Sequence, residues 1–489
     1  MGALVAAVNK EKENVVPTVF TMMQELIHRG NDGHGIATPA SVTTTPTIEK
    51  LGLNDYVSSV ALGHNFSIIL PRDQLQPVQG DGFTIVFEGR LFPAPNLPGN
   101  SEVKEIAGKL GSNILRNAKD IIEKLYGSFV FAVAESDRII IGRDVFGAIP
   151  LYYGENETIC AIASERKALW KIGLENALSF FPGQLAVMDV KGFSFQVIKD
   201  IQIHSRKKMD METGARALEL LLLESTRKQV SDLDGVAVAF SGGVDSSVVA
   251  YLAKNVGLDV QLISVGLEDK PEVMFTKEAA EALDLPIHLQ TYSTSELKET
   301  LTKVLWLIEE PNPLNACIAI PFYWLAETAS KLGYPVLLTG QGADELFGGY
   351  QKYLLEYMNL GAKAVEQRMF LDVKNAYSAN FQRDNQICSY HGVELRMPFI
   401  NKDVVDFAFR LPLRLKIHSI EDILRKRILR KVASNLEIPS FMAAKPKKAV
   451  QYTTGVTKAL QRLAKAEDLT LREYVKQTFS RIYPSIYGS

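Results

Sequence analysis

The stretch FSGGVDSSVVAYLA, Phe240–Ala253, closes an apolar run, VAVAF (236–240), and carries Val244, Val248, Val249 and Leu252 at helical spacing. A strand that runs into a glycine turn and then into an amphipathic helix is the local build of an anion site. Ser241, Gly242 and Gly243 have little or no side chain, so backbone N–H groups can approach a phosphate closely. The helix N-terminus adds its partial positive charge to those donors. Asp245 is out of place beside a phosphate unless a cation lies between them, and Mg²⁺ takes carboxylate and phosphate oxygens as ligands. Ser246 and Ser247 add hydroxyl donors or caps. The glycine spacing is neither that of a Walker loop nor that of a dinucleotide loop.

Outward from this loop, strand and helix patterns alternate. A helical stretch (Ala215–Val230) precedes it. VQLISV (260–265), Val273–Leu283, IHLQTY (287–292), Leu297–Ile308, Phe322–Leu332 and PVLLTG (335–340) follow. This order predicts a doubly wound parallel sheet with helices on both faces, and the chain beyond Tyr350 reads as a helical extension. Upstream the texture differs. TIVFEGRLF (84–92), SFVFAVA (128–134), RIIIGRD (138–144) and TICAIAS (158–164) are short β-type runs parted by turn residues, as in stacked antiparallel sheets, with a helix over Val15–Arg29. Two domains are expected, 1–200 and 210–489, joined between Ile198 and Met211 where His204–Lys208 is polar and basic. The 489 residues exceed the ~250–300 at which one core usually divides.

Three further segments carry charge in unusual company. LLTGQGADELFGGYQKY (337–353) ends a strand and has four glycines in ten residues, the mark of special backbone angles or close ligand approach. Asp344 follows at the strand's C-terminal end, where open α/β sheets bind ligands. It is either the second Mg²⁺ carboxylate beside Asp245 or an acidic helix cap. In RDNQICSYHGVELRMPFINKDVVDFAF (383–409), Arg383, Asp384, Glu394 and Arg396 sit among apolar residues, as a structural ion-pair network or as functional groups. KPKKAVQYTTGV (445–456) is either a solvated loop or a source of a lysine that neutralises charge on a leaving pyrophosphate.

Composition narrows the class. With 46% apolar and 22% charged residues the chain reads as globular, and no apolar stretch reaches the ~18 residues of a membrane helix. A net charge of −2 argues against general nucleic-acid binding. Eighteen Lys and Arg against eight Asp and Glu from Lys402 onward leave room for a polyanionic ligand such as a triphosphate. Cys160, Cys317 and Cys388 are too scattered for a disulfide framework or a zinc site. A cytoplasmic enzyme is expected.

The SGGxDSS loop resembles the pyrophosphate-binding loop of the ATP pyrophosphatase families. Together with GQGADELFGGY, GVELRMPF and KPKK on the C-terminal side, and HRGNDGHG (28–35), FEGRLF (87–92), GRDVFGAIPLYY (142–153) and ASERKAL (163–169) on the N-terminal side, it makes nearly the whole chain similar to glutamine-dependent asparagine synthetases, with an archaeal-like wording. The resemblance implies an N-terminal-nucleophile glutaminase domain, an αββα sandwich, fused to a synthetase domain that uses ATP and Mg²⁺ to activate aspartate as β-aspartyl-AMP before ammonia displaces AMP. It implies that Ser241, Gly242, Gly243, Asp245, Ser246 and Ser247 hold the pyrophosphate end of ATP. Phe240 and Val265 would meet the adenine, and Thr339 and Gly340 the nucleotide. Asp245 and Asp344 would hold Mg²⁺. Lys447, or Lys448, would stabilise the transition states, with Glu394 and Arg396 in the Glu-x-Arg-x-Pro-Phe segment.

The pattern breaks in one place above all. The family nucleophile is a cysteine at the mature N-terminus; here position 2 is Gly2, and the first cysteine is Cys160. A glycine forms no thioester. Glu88-Gly89-Arg90 stands for Asn-Gly-Glu, Phe66-Ser67 for an arginine after His64-Asn65, and Asn100 for an aspartate. Gln341 stands where many members have glutamate, and a neutral amide cannot act as a general base. The reading is an aspartate-amidating enzyme that uses free ammonia or ammonia from a glutaminase partner, and a homodimer is left open by the sequence. Its alternatives are a β-lactam-type intramolecular amide synthetase and a nucleotide-binding subunit that pairs with an intact paralogue.

Overall fold

The computed structural model describes residues 2–52, 56–94, 101–203, 205, 208–268, 272–419 and 421–487. The chain divides into two compact units. One comprises Met1–Ile201 with Tyr377–Glu394 and Pro484–Ser489, the other Gln202–Ala376 with Leu395–Tyr483. Of the expected junction, His204, Arg206 and Lys207 lie outside the described residues.

The first unit is an αββα sandwich. One antiparallel sheet runs, in spatial order, Leu178–Ser179, Tyr152–Glu155, Ile159–Ala163, Gly2–Asn9, Val60–Phe66, Gly33–Thr38, Ser41–Thr45. The other runs Gly192–Val197, Gln184–Asp189, Arg138–Arg143, Gly127–Glu135, Thr84–Leu91, Val78–Gln79. Strand Gly2–Asn9 reads as one apolar run because both its faces are covered. Leu4, Ala6 and Val8 point between the sheets, where Val86, Val130, Ala132 and Ile141 of the second sheet meet them. Ala3, Val5 and Ala7 point outward to the helix Val16–Glu25. Likewise Ile85, Phe87, Phe129 and Phe131 leave the second sheet for the helices Glu102–Leu110 and Ile114–Lys124. These two helices were not expected from the sequence. Each begins on a polar cap, Ser101 and Asn113, whose side chain accepts a backbone N–H three residues on.

In the second unit a five-stranded sheet has the order Ile287–Tyr292, Asp259–Leu267, Gly235–Ala239, Val336–Leu338, Glu394–Arg396. The described ladders among its first four strands are parallel. The order reverses at Gly235–Ala239: the chain moves to one side for two strands and returns to the other. With right-handed crossovers that reversal puts helices on opposite faces and opens a crevice at the strands' C-terminal ends. Pro321 lies inside the helix Pro313–Lys331, which therefore begins nine residues before the expected Phe322. The helix Thr294–Ile308 opens three residues before its expected start, on a Ser293/Glu296 capping box. From Gln351 onward the unit is mostly helical apart from the strand that ends at Arg396. Among the described residues no helix is long and apolar enough to cross a membrane.

Ile141 lies fully buried between the two sheets of the first unit. Ile141→Ala is expected to cost about 2–5 kcal/mol, as truncated core side chains do. A lowered urea midpoint at unchanged slope measures it.

Candidate active site

The two loops of interest leave neighbouring strands on either side of the order reversal. Gly235–Ala239 continues into Phe240–Ser247, and Val336–Leu338 into Thr339–Phe347. Phe240 N donates to the Ile263 carbonyl at 2.8 Å, which ties the first loop to the next strand, Asp259–Leu267, where Val265 is half-buried two residues before the end. Within the loop, Ser241 N donates to Ser246 Oγ (3.2 Å) and Ser246 Oγ donates to the Gly243 carbonyl (3.2 Å), while Gly242 takes φ +66°. The helix Val244–Asn255 starts from Gly243 without a side-chain cap.

Two glycines allow the loops to close on each other. A Cβ at Gly340 would lie 2.8 Å from the Asp245 Cβ. A Cβ at Gly349 would lie within 2.2 Å of Lys426 Cε, and closer still to Asp344 Oδ1. Through that gap four charges meet. Lys426 Nζ lies 2.5 Å from Asp245 Oδ2 and 2.5 Å from Asp344 Oδ1, and Lys447 Nζ lies 2.6 Å from Asp344 Oδ2. Burial alone would raise the Asp344 carboxyl; the two ammonium groups overcome this and hold it well below the usual carboxylate range. Burial would lower Lys447, and the charges of Asp344 and Asp245 lift it above the ordinary lysine value instead. Next door, burial and the charge of Asp344 push Glu345 up, and Tyr350 donates its hydroxyl to Glu345 Oε1 at 2.6 Å.

The same pocket is lined by Ser241, Gly243, Arg430, Lys445 and Lys448. Lys445 Nζ donates to the Ser241 carbonyl at 2.8 Å and stands 3.7 Å from the centroid of the Phe275 ring. Several polar atoms around the loop are buried with no hydrogen-bond partner among the described residues: Asp245 Oδ1, Ser247 Oγ and Thr339 Oγ1. Buried atoms of this kind cost free energy unless a ligand satisfies them.

Of the residues singled out in the sequence, the structure brings Ser241–Ser247, Thr339, Gly340, Asp344, Lys447 and Lys448 to this region. Gln341 is half-buried directly after Gly340. Glu394 and Arg396 do not join the charge cluster. Arg396 makes paired bonds to Asp232 (2.6 and 2.9 Å), and its backbone carbonyl receives Thr339 N at 3.1 Å. Glu394 belongs to the first unit and pairs with Arg90. Lys426 was missed. It stands in the basic run LRKRILRK (424–431), which reads as a solvated helix face. Arg425 and Lys426 both adopt left-handed backbone, φ +53° and +51°, and this turns the Lys426 side chain inward until it is 1% exposed.

In the first unit, Gly2 N donates to Glu88 Oε2 at 2.9 Å, and His64 Nε2 lies 2.5 Å from Glu88 Oε1. A Cβ at Gly2 would fall 1.9 Å from the Asn65 carbonyl oxygen and 3.2 Å from Glu88 Oε1. Arg90 is buried in a carboxylate cage: Nη2 meets Asp73 Oδ2 at 2.8 Å, Nε meets Glu394 Oε2 at 2.6 Å, and Glu102 stands at 3.4 Å. Beside it remains a cavity of about 20 Å³, lined by Phe66, Asp73, Gln76, Arg90, Ser101 and Glu102 among others. That is room for about one water. Asn100 lies outside the described residues. Cys160 is buried, which pushes its thiol up to about 12.

A parallel-sheet unit with a serine- and glycine-rich loop at its order reversal, joined in one chain to an αββα sandwich, is the build of an amidotransferase-type carbon–nitrogen ligase. The chain belongs to the asparagine synthase family: the family model described as asparagine synthase matches residues 217–361 and 353–484, and that of a glutamine amidotransferase domain matches 64–171. A Methanocaldococcus jannaschii protein provisionally named asparagine synthetase 1 (glutamine-hydrolysing) is 29% identical over 93% of this chain and 94% of its own length. Asparagine synthetase B (glutamine-hydrolysing) of Escherichia coli is 26% identical over 60% of this chain and 55% of its own. The asparagine synthetase (glutamine-hydrolysing) of Rattus norvegicus is 24% identical over 83% and 78%.

Burial pushes the Asp73 carboxyl up, but its hydrogen bonds and ion pair with Arg90 more than reverse this and hold it well below its ordinary range. Such a group contributes stability above its unfolded pKa of about 4 and loses it as pH falls toward the folded value. The thermal midpoint is therefore expected to fall as pH drops below about 4. Asp73→Asn should lower the midpoint at neutral pH and make the acid limb shallower, as calorimetry across pH measures.

Proposed function

We propose that the chain makes asparagine from aspartate, ATP and ammonia. The aspartate side-chain carboxylate attacks the α-phosphorus of ATP, giving β-aspartyl-AMP and releasing pyrophosphate; ammonia then adds to the activated carbonyl, loses a proton and expels AMP. The observation that carries this reading is the convergence of Asp245, Asp344, Lys426 and Lys447 on a phosphate loop whose helix start is uncapped.

The donor set fits Mg²⁺. Asp245 Oδ1 is a buried carboxylate oxygen without a hydrogen-bond partner, and Mg²⁺ is commonly held by one or two carboxylates together with substrate phosphates. Asp245 and Asp344 would hold it, and when bound it would neutralise phosphate charge. Backbone N–H groups of Ser241–Ser247, with Ser247 Oγ, would grip the pyrophosphate portion, and Phe240, Val265, Thr339 and Gly340 the rest of the nucleotide. Lys447 and Lys426 would stabilise charge on the leaving pyrophosphate, with Lys448 at the same pocket. Gln341 would orient aspartate or ammonia without taking a proton. Glu394 and Arg396, each committed to an ion pair, are read as supports of the strand they end rather than as groups that touch substrate.

Ammonia would come from solution or from a glutaminase partner. Several observations in the first unit support the reading of a lost glutaminase. The nucleophile position is glycine, a side chain there meets the Asn65 carbonyl, and Arg90 with its cage fills the ground beside Glu88 and leaves space for about one water.

The test is asparagine and pyrophosphate release from aspartate and Mg-ATP, with ammonium and glutamine supplied separately. Ammonium is expected to support both products and glutamine neither. Pyrophosphate without asparagine would favour another acceptor, including an intramolecular amine. No turnover despite ATP binding would favour a subunit that pairs with an intact paralogue. Asp245→Asn and Lys426→Met should each lower kcat by about 10²–10³, the scale of lost transition-state electrostatics. Gly2→Cys should not confer glutamine use and should lower the thermal midpoint, because the steric conflict remains.

A further inference from the structure

Lys426 lies between two carboxylates rather than beside one. Its ammonium is 2.5 Å from Asp245 Oδ2 and 2.5 Å from Asp344 Oδ1, so a single positive charge fills the space between the two oxygens. The Lys426 side chain is 1% exposed, while those of Asp245 and Asp344 keep 18% and 13%. A cation arriving from the pocket therefore meets the carboxylates before it meets the lysine. Asp344 holds a second ammonium, that of Lys447, on its other oxygen at 2.6 Å.

The turn that carries Lys426 is braced by other bonds. Arg430 donates from Nε to the carbonyls of Leu424 (3.2 Å) and Arg425 (2.8 Å), and from its two Nη atoms to those of Ala443 and Lys445. One guanidinium thus ties the left-handed pair Arg425–Lys426 to the segment that leads to Lys447. With the backbone held on both sides, the part free to move is the flexible methylene stem of Lys426. Left-handed backbone at two successive residues persists only where the surroundings over-determine it, and such strain gathers at switching positions.

We propose that Lys426 is a built-in place-holder for the divalent cation: its ammonium and the metal exclude each other between Asp245 and Asp344, and the lysine yields when the phosphates of a nucleotide arrive. The inference deepens the proposed function and rests on its reading of Asp245 and Asp344 as metal carboxylates. Cations crowded onto the same pair of oxygens repel, and a buried site screens that repulsion little. A divalent ion that enters alone must evict the ammonium and strand its charge away from both carboxylates, which is unfavourable. A nucleotide lifts this obstacle, because its phosphate oxygens offer the displaced ammonium new partners while they complete the coordination of the metal. Ser241 and Gly243 of the loop line the same pocket as Lys426, so the lysine needs only a side-chain movement to reach a phosphate there.

Mn²⁺, which takes the same oxygen ligands as Mg²⁺ and is read by electron paramagnetic resonance, is titrated into the full chain without nucleotide or aspartate. Lys426→Met is expected to bind one Mn²⁺ per chain at least tenfold more tightly than the parent. Lys426→Gln, neutral and still able to donate to a carboxylate, should show the same gain and serves if the methionine variant does not fold. Asp344→Asn added to either variant should abolish the gain, which places the ion at this pair. A gain of less than tenfold in the lysine variants overturns the proposal, and so does a gain that survives Asp344→Asn. No turnover is measured, so failure of the amidation reading would leave these outcomes unchanged.

Discussion

Asp245 and Asp344 are held so close that one ammonium, that of Lys426, lies within 2.5 Å of both. Two carboxylates at this separation repel, and the ammonium between them offsets that repulsion. Much of the second unit can be understood as the means of holding them there. The sheet order turns back at Gly235–Ala239, so two loops leave side by side from strands far apart in the chain. Gly340 and Gly349 remove the side chains that would keep the loops apart. The left-handed pair Arg425–Lys426 drives a lysine into the gap at a backbone cost of about 1–3 kcal/mol per such residue. Two lysines set against two carboxylates bring both signs of charge to close range at this point.

The first unit resolves a similar problem in a different way. Around Arg90, three carboxylates converge on a cation that the chain itself supplies. The guanidinium can serve several acceptors at once in a fixed plane, which suits it to a buried hub. His64 and the Gly2 amide satisfy Glu88 in the same self-contained fashion. Buried polar atoms without a hydrogen-bond partner among the described residues occur in both units: His34 Nε2 and His64 Nδ1 in the first, Asp245 Oδ1, Ser247 Oγ and Thr339 Oγ1 in the second.

Much of this was legible beforehand, and the reasons differ by element. The glycine loop and its helix could be read because strand, glycines and helix N-terminus are contiguous in the chain. The parallel sheet followed from the alternation of patterns. The strand Gly2–Asn9 was missed because a strand covered on both faces loses the period-two signature and looks like any short apolar run. Lys426 escaped because a lysine in a basic run carries no mark of burial; its inward turn depends on two backbone angles and on carboxylates about 80 and 180 residues away in sequence.

By itself the sequence determined the groups on offer: a serine- and glycine-rich loop after an apolar strand, an acidic glycine loop and a lysine segment. These are properties of residue type and short-range spacing, which bonded geometry carries directly. Only the tertiary structure decided the partners. It assigned Lys426 to the two carboxylates, and gave Arg396 to Asp232 and Glu394 to Arg90. Long-range pairing depends on the order in which strands assemble and on where small residues allow close approach, and neither is encoded at the positions that finally touch.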